Sequence, residues 1–277
     1  MEILEATSDK ALQHRAMATL TRLLYKEFKP TAVPAKLGTK RDRLVKTITG
    51  CADPYAKKKW LSNKRALEGL PQVKGLVAQE KSGEARFRKA CLCAIVGNII
   101  EFDIPEHEFK FEDVSKLVLH AQEDLAVDEI SQIFSSAKNA EEILYLADNA
   151  GEIAFDTLLV AELRKLGARV AVAVKGKPIL NDAMLQDAKA VGMQEVADDL
   201  LSNGSDAVGL MLKECSKRFV TLYRSADLVV AKGMGHVETL TETKLTTPHA
   251  LLLRTKCQPV ASYFGTVKGK NVAKLMV

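Results

Sequence analysis

The sequence contains no Cys-x-x-Cys pair, no apolar run near the ~20 residues that span a bilayer, and no Gly-x-Gly-x-x-Gly fingerprint. Each absence removes a class of protein. The cysteines (Cys51, Cys91, Cys93, Cys215 and Cys257) are odd in number and scattered, which argues against a disulfide framework or a thiolate zinc site and for reduced thiols. The N-terminal stretch "MEILEATSDKALQHRAM" carries early acidic residues and no apolar core, so no secretory signal is expected and a cytoplasmic location is. Strong charge of one sign is also missing. The formal net charge of +5 is spread along the chain, so composition gives no reason to expect nucleic acid or a membrane as partner, and a small anionic substrate suits it equally. There is no strict internal repeat. Oligomeric state is not legible.

What is present is enough apolar material for a real core: 277 residues, 47% hydrophobic and 27% charged, bounding the chain to one large domain or two modest ones. The pattern changes near residues 137 to 141, which divides the chain into a helical subdomain at 1–138 and an α/β domain at 139–277. Before that point, apolar residues recur at spacings of three and four. "DKALQHRAMATLTRLLYKEF" follows capping residues Ser8 and Asp9, and "DRLVKTITGCADPY" stops at Gly50 and breaks at Pro54. "KKKWLSNKRALEGLP", "VKGLVAQE", "EDVSKLVLHAQ" and "DEISQIFSSAK" read as further helices, and "EARFRKACLCAIVGNIIEFDIP" as a long one ending near Pro105. No strand is expected there.

From Glu141 strand, loop and helix alternate. "EILYLA", "RVAVAVK", "DLVVAK" and "HALLLRT" read as strands, the last beside "QPVASYF"; "GEIAFDTLLVAELRKLG", "LNDAMLQDAKAVG" and "VGLMLKECSKRFVTLYRSA" read as helices. Runs such as "AVAV" and "ALLL" suit strands buried on both faces. The expected fold is α/β: a Rossmann-like parallel sheet layered by helices, with an all-helical N-terminal subdomain.

In such sheets ligands bind beyond the carboxyl ends of the strands. There the sequence places Asp148 and Asn149; then Lys175, Gly176 and Lys177, with Asp182 soon after; then "SNGSDAVG" (Ser202 to Gly209); then Lys232, Gly233, Met234, Gly235 and His236. Asp148, Asn149 and Asp182 offer only oxygen ligands, which suit Mg²⁺ or Mn²⁺. Gly151 and Gly204 permit close backbone approach of an anion at helix N-termini, and Lys232 adds a positive charge. Together they fit binding and cleavage of a phosphoryl group. Plainer readings stand beside each. Asp148, Asn149 and Asp182 could cap helices; "SNGSD" and Lys232-Gly233 could be turns; His236 and Glu238 read as solvated loop residues, and Cys91 and Cys93 as core. Gly233 and Gly235 form a Gly-x-Gly, but the first strand is followed by "DNAGE", which argues against a dinucleotide site.

"DNAGEIAFD", "KGKPILNDAMLQDA", "SNGSDAVG", "DLVVAKGMGHVETL" and "RTKCQPVA" resemble the DUF89 family, the metal-dependent damage-control phosphatases, most closely the archaeal-type branch. "DPY" (Asp53 to Tyr55), Lys59 with Ser62 and Asn63, and Gly97-Asn98 extend the resemblance over nearly the whole chain. It implies a helical part over an α/β fold with a deep cleft, and a metal held by Asp148, Asn149 and Asp182. It implies that Lys232 contacts phosphate, that Mn²⁺, Co²⁺, Ni²⁺ or Mg²⁺ serves as cofactor, and that the substrate is a small phosphorylated metabolite such as a sugar phosphate or a phosphopantetheine-like compound. Gly151, Glu152, Ser202, Gly204, Ser205, Asp206 and Gly233 are the expected phosphate-side contacts, with Asn98 reaching in from the helical half and Asp53 and Asn63 as weaker candidates. One departure is the lack of a Cys-x-x-Cys segment ahead of the first helix, which counts against a second, cysteine-linked site and leaves the triad untouched. Two other activities compete: an S-adenosylmethionine-dependent carboxyl methyltransferase, and a non-catalytic phosphometabolite-binding protein. The former expects a glycine-rich first loop and an acidic second one; here the first is acidic and the second basic.

Overall fold

Alternate residues of the central apolar runs face opposite ways, and both ways lead into a core. Ile143, Tyr145, Val170, Val172, Leu228, Val230, Ala250 and Leu252 belong to one buried cluster; Leu144, Leu146, Ala171, Ala173, Val229, Ala231, Leu251 and Leu253 belong to another. A period of two that is apolar in both phases specifies strands covered on both faces. The computed structural model, which describes residues 2–97 and 111–277, has this arrangement. Its elements run α1 (Glu2–Ala6), α2 (Lys10–Glu27), α3 (Pro34–Thr49), α4 (Ala56–Ala78), α5 (Gly83–Gly97), α6 (Phe111–Glu123), β1 (Leu125–Asp128), α7 (Ile130–Lys138), β2 (Glu142–Leu146), α8 (Glu152–Lys165), β3 (Arg169–Val174), α9 (Leu185–Ala190), α10 (Met193–Val196), β4 (Asp199–Ser202), α11 (Lys217–Ser225), β5 (Leu228–Lys232), α12 (Gly233–Leu240), β6 (His249–Arg254), α13 (Gln258–Tyr263) and β7 (Asn271–Met276). The sheet has the order β1-β7-β6-β5-β2-β3-β4, parallel except where β7 pairs antiparallel with β6.

Several sequence readings need correction. β1 lies inside the segment read as wholly helical; at four residues flanked by charge it carries too little pattern to be seen. "QPVASY" is helix α13, with a proline in its first turn, and β6 pairs instead with β7, whose outer end is half-exposed and so lacks an apolar run. β4 is four residues long and was not anticipated. The helix after β3 starts at Leu185 rather than Leu180, and only Lys217–Ser225 of the long segment before β5 is α-helical, preceded by a 3₁₀ turn at Leu212–Glu214. α4 runs unbroken through Pro71. The expected helix end near Pro105 lies outside the described residues.

Asp9 and Gly50 cap α2 and α3 as expected. Cys91 and Cys93 are both core residues, and burial pushes their thiols up, that of Cys93 to about 12. α8 is buried on nearly every side, enclosed by the sheet and by α4 and α5, which join its apolar cluster. Among the described residues, no helix is long and apolar enough to cross a membrane.

Candidate active site

The chain leaves β2 in one direction, through β3 and β4, then returns to β5 on the other side of β2. Connections therefore diverge between β2 and β5, opening a crevice at their carboxyl ends where open α/β sheets bind ligands. Asp148 and Asn149 follow β2 there, and Gly233 follows β5. The loops after β2 and β3 are joined by an isolated antiparallel bridge between Asn149 and Asp182. Ala150 N donates to Asn181 O (2.9 Å) and Ala183 N to Asp148 O (2.8 Å), which fixes the three oxygen-bearing side chains on one short backbone frame. Asn149 Nδ2 donates to Asp148 Oδ2 and Glu152 Oε2, both at 2.9 Å, so its Oδ1 faces away from these carboxylates.

Gly233 makes room for Asp148. A Cβ at Gly233 would sit 1.8 Å from Asp148 Oδ2, and the residue has φ +78°, where a side chain is strained in any case. Gly233→Ala is expected to displace this carboxylate and lower kcat/KM by roughly 100-fold, the order of cost for a misplacement near 1 Å. Phosphatase kinetics beside a thermal melt check it. Near-normal turnover would show that the position of Asp148 is unimportant.

Lys232 is not where the sequence reading put it. It was expected to emerge at the sheet edge as a point charge facing phosphate. It is still part of β5, in the same phase as Leu228 and Val230, so it points into the layer of α5 and α8 and is fully buried. Its Nζ donates to Glu152 Oε1 (2.5 Å), Asp156 Oδ1 (2.7 Å) and Ala94 O (2.9 Å). Tyr145 OH also donates to Asp156 Oδ1 (2.8 Å), while Asp156 Oδ2 has no hydrogen-bond partner among the described residues. Burial works to lower the Lys232 pKa, but the two carboxylates prevail and hold it above its ordinary value. Glu152 thus joins two layers, with one oxygen on Lys232 and the other on Asn149.

Asp182 meets a second buried lysine. Lys175 Nζ lies 3.4 Å from Asp182 Oδ2 and donates to Ala207 O (2.8 Å) and Gly209 O (2.5 Å). From the helical half, buried Lys59 pairs with Asp53 (2.6 Å), and its charge reaches Asp182. Asn63 Oδ1 accepts from Gly151 N (2.7 Å), and its Nδ2 donates to Asp187 Oδ1 (2.8 Å), so this contact with the start of α8 is made by the protein itself.

The turn after β4 is likewise self-satisfied. Ser202 Oγ accepts from Gly204 N (3.0 Å), Asn203 Oδ1 from Gly176 N (3.1 Å) and Ser205 N (2.9 Å), and Ser205 Oγ from Ala207 N (3.0 Å). Asp206 pairs with Arg43 (2.6 Å). The carbonyls that accept from Lys175 come later in the same loop, from Ala207 and Gly209. Asn98 lies outside the described residues. His236, read as a solvated loop residue, is buried in α12 and contacts Lys232 O through Nδ1 (2.7 Å); burial, with Lys175 nearby, pushes it down to about 3, so it is neutral. Glu238 is half-buried in the same helix.

Sequence reasoning missed Asp156, Lys175 and Lys59 as partners. Asp156 follows Glu152 by four residues, a spacing that places both on one helix face, and this was a usable signal.

Among the described residues, no cluster of three or more His, Cys, Asp or Glu side chains is placed to hold a metal. The candidate set is two carboxylates and a carboxamide, all oxygen donors. Its electrostatics fit a divalent cation. Burial, then Glu152 and Asp182, push Asp148 well above the usual carboxylate range, against Lys175 and Lys232. Burial likewise pushes Asp182 up to about 6 despite Lys175. Crowded carboxylates with this penalty are stabilised when a cation enters.

The same shifts set a pH dependence. Asp156 and Asp182 rise from 3.8 to about 6, mainly through burial. The folded state then holds protons that the unfolded chain has released, so these groups favour folding less as pH rises from about 4 to about 6. Urea unfolding of metal-free protein across this range is expected to show falling stability; a flat or rising profile would contradict the burial of unneutralised carboxylates.

Over residues 1–272 the chain matches the family described as "Damage-control phosphatase ARMT1-like domain". It is 38% identical over 272 residues to an uncharacterised protein of Methanocaldococcus jannaschii, covering 97% of this chain and 88% of that one. It is 35% identical to a protein of Archaeoglobus fulgidus named damage-control phosphatase, over 98% of this chain and 92% of the relative. Identity to a damage-control phosphatase of Pyrococcus horikoshii is 34%, over 96% and 90% of the two chains. The crystal structure of a DUF89 family protein from Pyrococcus horikoshii, 33% identical, superposes with a TM-score of 0.87 over 98% of this chain and 92% of that chain.

Proposed function

The chain belongs to the damage-control phosphatase ARMT1-like (DUF89) family, and from that premise we propose that it is a metal-dependent phosphomonoesterase acting on small phosphorylated metabolites. The observation that carries this reading is the convergence of Asp148, Asn149 and Asp182 at the β2/β5 crevice, on a frame pinned by the Asn149–Asp182 bridge. The names of the Archaeoglobus and Pyrococcus relatives support the phosphatase part.

In this mechanism the three side chains would hold Mn²⁺, Mg²⁺, Co²⁺ or Ni²⁺, which would supply Lewis-acid neutralisation of the phosphoryl oxygens. Glu152 accepts from the Asn149 amide nitrogen and so leaves the carboxamide oxygen available as a ligand. Lys175 holds Asp182 and brings positive charge beneath the site. Lys232 neutralises Glu152 and Asp156, and so acts on the reaction through them rather than on phosphate directly. The attacking group is water, because an aspartate committed as a ligand is a poorer nucleophile.

Hydrolysis of p-nitrophenyl phosphate with and without Mn²⁺, followed by a panel of sugar phosphates, nucleotides and phosphopantetheine, tests the reading. Metal-dependent release of phosphate from the smaller esters is expected. Binding of a phosphorylated compound without turnover under all metals would favour the sensor reading, and methyl transfer from S-adenosylmethionine would favour the methyltransferase.

A further inference from the structure

Among the described residues, only one non-glycine residue has positive φ: Leu180, at +45°. That region costs a γ-branched side chain energy and persists only where surrounding contacts impose it. Leu180 stands two residues before Asp182, and Asp182 N donates back to Ile179 O (3.0 Å), so the Leu180 conformation shapes the backbone that presents Asp182.

What imposes it comes from outside the sheet. Leu180 N donates to Asp42 Oδ1 (3.2 Å), and Pro178 O accepts from Lys46 Nζ (2.5 Å). Asp42 and Lys46 are one turn apart on α3 and pair with each other at 2.6 Å. Asp42 is fully buried, a costly place for a carboxylate unless it performs a specific task. Its other close neighbour is Glu2, itself paired with Arg41 at 2.8 Å. The Asp42 charge reaches Asp182. Lys46 also lies 3.7 Å from Asp206.

We propose that Asp42 and Lys46 are positioning residues, a clamp on α3 that grips the backbone at Pro178 and Leu180 and so holds Asp182 in the ligand set. The clamp couples the helical half to the crevice without touching substrate. It rests on the phosphatase reading for its purpose, though not for its geometry. Neither residue carries a sequence motif; both appear as ordinary charges on an amphipathic helix.

The test uses the full chain with Asp42→Ala, Lys46→Met, Leu180→Gly and the Asp42→Ala/Leu180→Gly pair. Hydrogen exchange of the 179–183 amides, Mn²⁺ titration and phosphatase kinetics are read on each. Asp42→Ala and Lys46→Met are expected to speed exchange at 179–183 while α5 and α8 keep their protection, and to weaken Mn²⁺ binding and kcat/KM by about tenfold, the usual scale for loss of an outer partner of a ligand. Leu180→Gly alone is expected to be nearly silent, since glycine takes this φ without strain. In the Asp42→Ala background it is expected to recover several-fold of the lost Mn²⁺ affinity, which a mere packing role for Asp42 would not allow. Unchanged exchange at 179–183 in both single variants, unchanged Mn²⁺ affinity, or no recovery in the pair would each overturn the clamp. If the wild-type chain takes up no Mn²⁺, the phosphatase reading fails and the exchange result alone decides the clamp.

Discussion

Asp148→Asn is expected to reduce kcat/KM by on the order of 10³-fold while making the metal-free protein more stable. The change keeps the size of the side chain and removes the charge. Asp148 lies under a burial penalty that Glu152 and Asp182 deepen. A neutral amide escapes that penalty, so the thermal midpoint of the metal-free variant is expected to rise by a few degrees at pH 8, for a gain of about 1–2 kcal/mol. The stabilisation that Mn²⁺ gives the wild-type chain is expected to be lost. Opposite signs for stability and activity mark a group kept for function at a cost to folding. Asp182→Ala is expected to remove most activity as well, while the fold survives. A drop in stability together with retained turnover would mean that Asp148 is a helix-capping residue, the plainer reading of "DNAGE".

Lys232→Met is expected to damage the fold more than the chemistry. Its ammonium lies between Glu152 and Asp156, all three nearly or fully buried. Removing it leaves two buried carboxylates four residues apart on α8, and breaking a buried ion pair from one side typically costs about 3–5 kcal/mol. Denaturant unfolding is expected to show that loss. Asp156→Asn in the same chain is expected to restore part of it, because one of the two abandoned charges is then gone. Residual activity of folded Lys232→Met is expected to fall together with Mn²⁺ affinity, through Glu152 and Asn149. If instead the variant keeps wild-type stability and Mn²⁺ affinity and loses only phosphate binding, Lys232 is a phosphate contact after all, and the strand-phase argument fails.

Lys232 also shows how far the sequence could be read. "DLVVAK" identified a buried strand, but its last residue was grouped with the polar and glycine residues at the carboxyl end rather than with the strand's buried face. Counting in twos from Leu228 would have turned Lys232 inward. Asp148 and Asn149 were legible because two polar residues directly after a doubly buried strand have few ordinary explanations. Asp182 stood out as an oxygen donor by residue type and by the family resemblance, with a helix cap as its plainer reading; its meeting with Asn149 depends on a backbone bridge between loops more than thirty residues apart in sequence. "SNGSD" has ordinary turn composition and was a candidate for its place at a strand end, but the N–H groups of Gly204, Ser205 and Ala207 are spent on Ser202, Asn203 and Ser205 within the turn itself. β1, β4 and β7 escaped for a different reason: short or partly exposed strands have no two-sided apolar run. Asp42 and Lys46 could not be found at all without the three-dimensional meeting of α3 with the loop after β3.

The most direct measurement is an anomalous difference map from crystals of the wild-type chain soaked in Mn²⁺, with Asp148→Asn crystals treated alongside. The account predicts one strong peak bounded by the side-chain oxygens of Asp148, Asn149 and Asp182, absent or much reduced in the variant. A peak elsewhere, or none at all in crystals of enzyme that hydrolyses p-nitrophenyl phosphate after chelation, would contradict it.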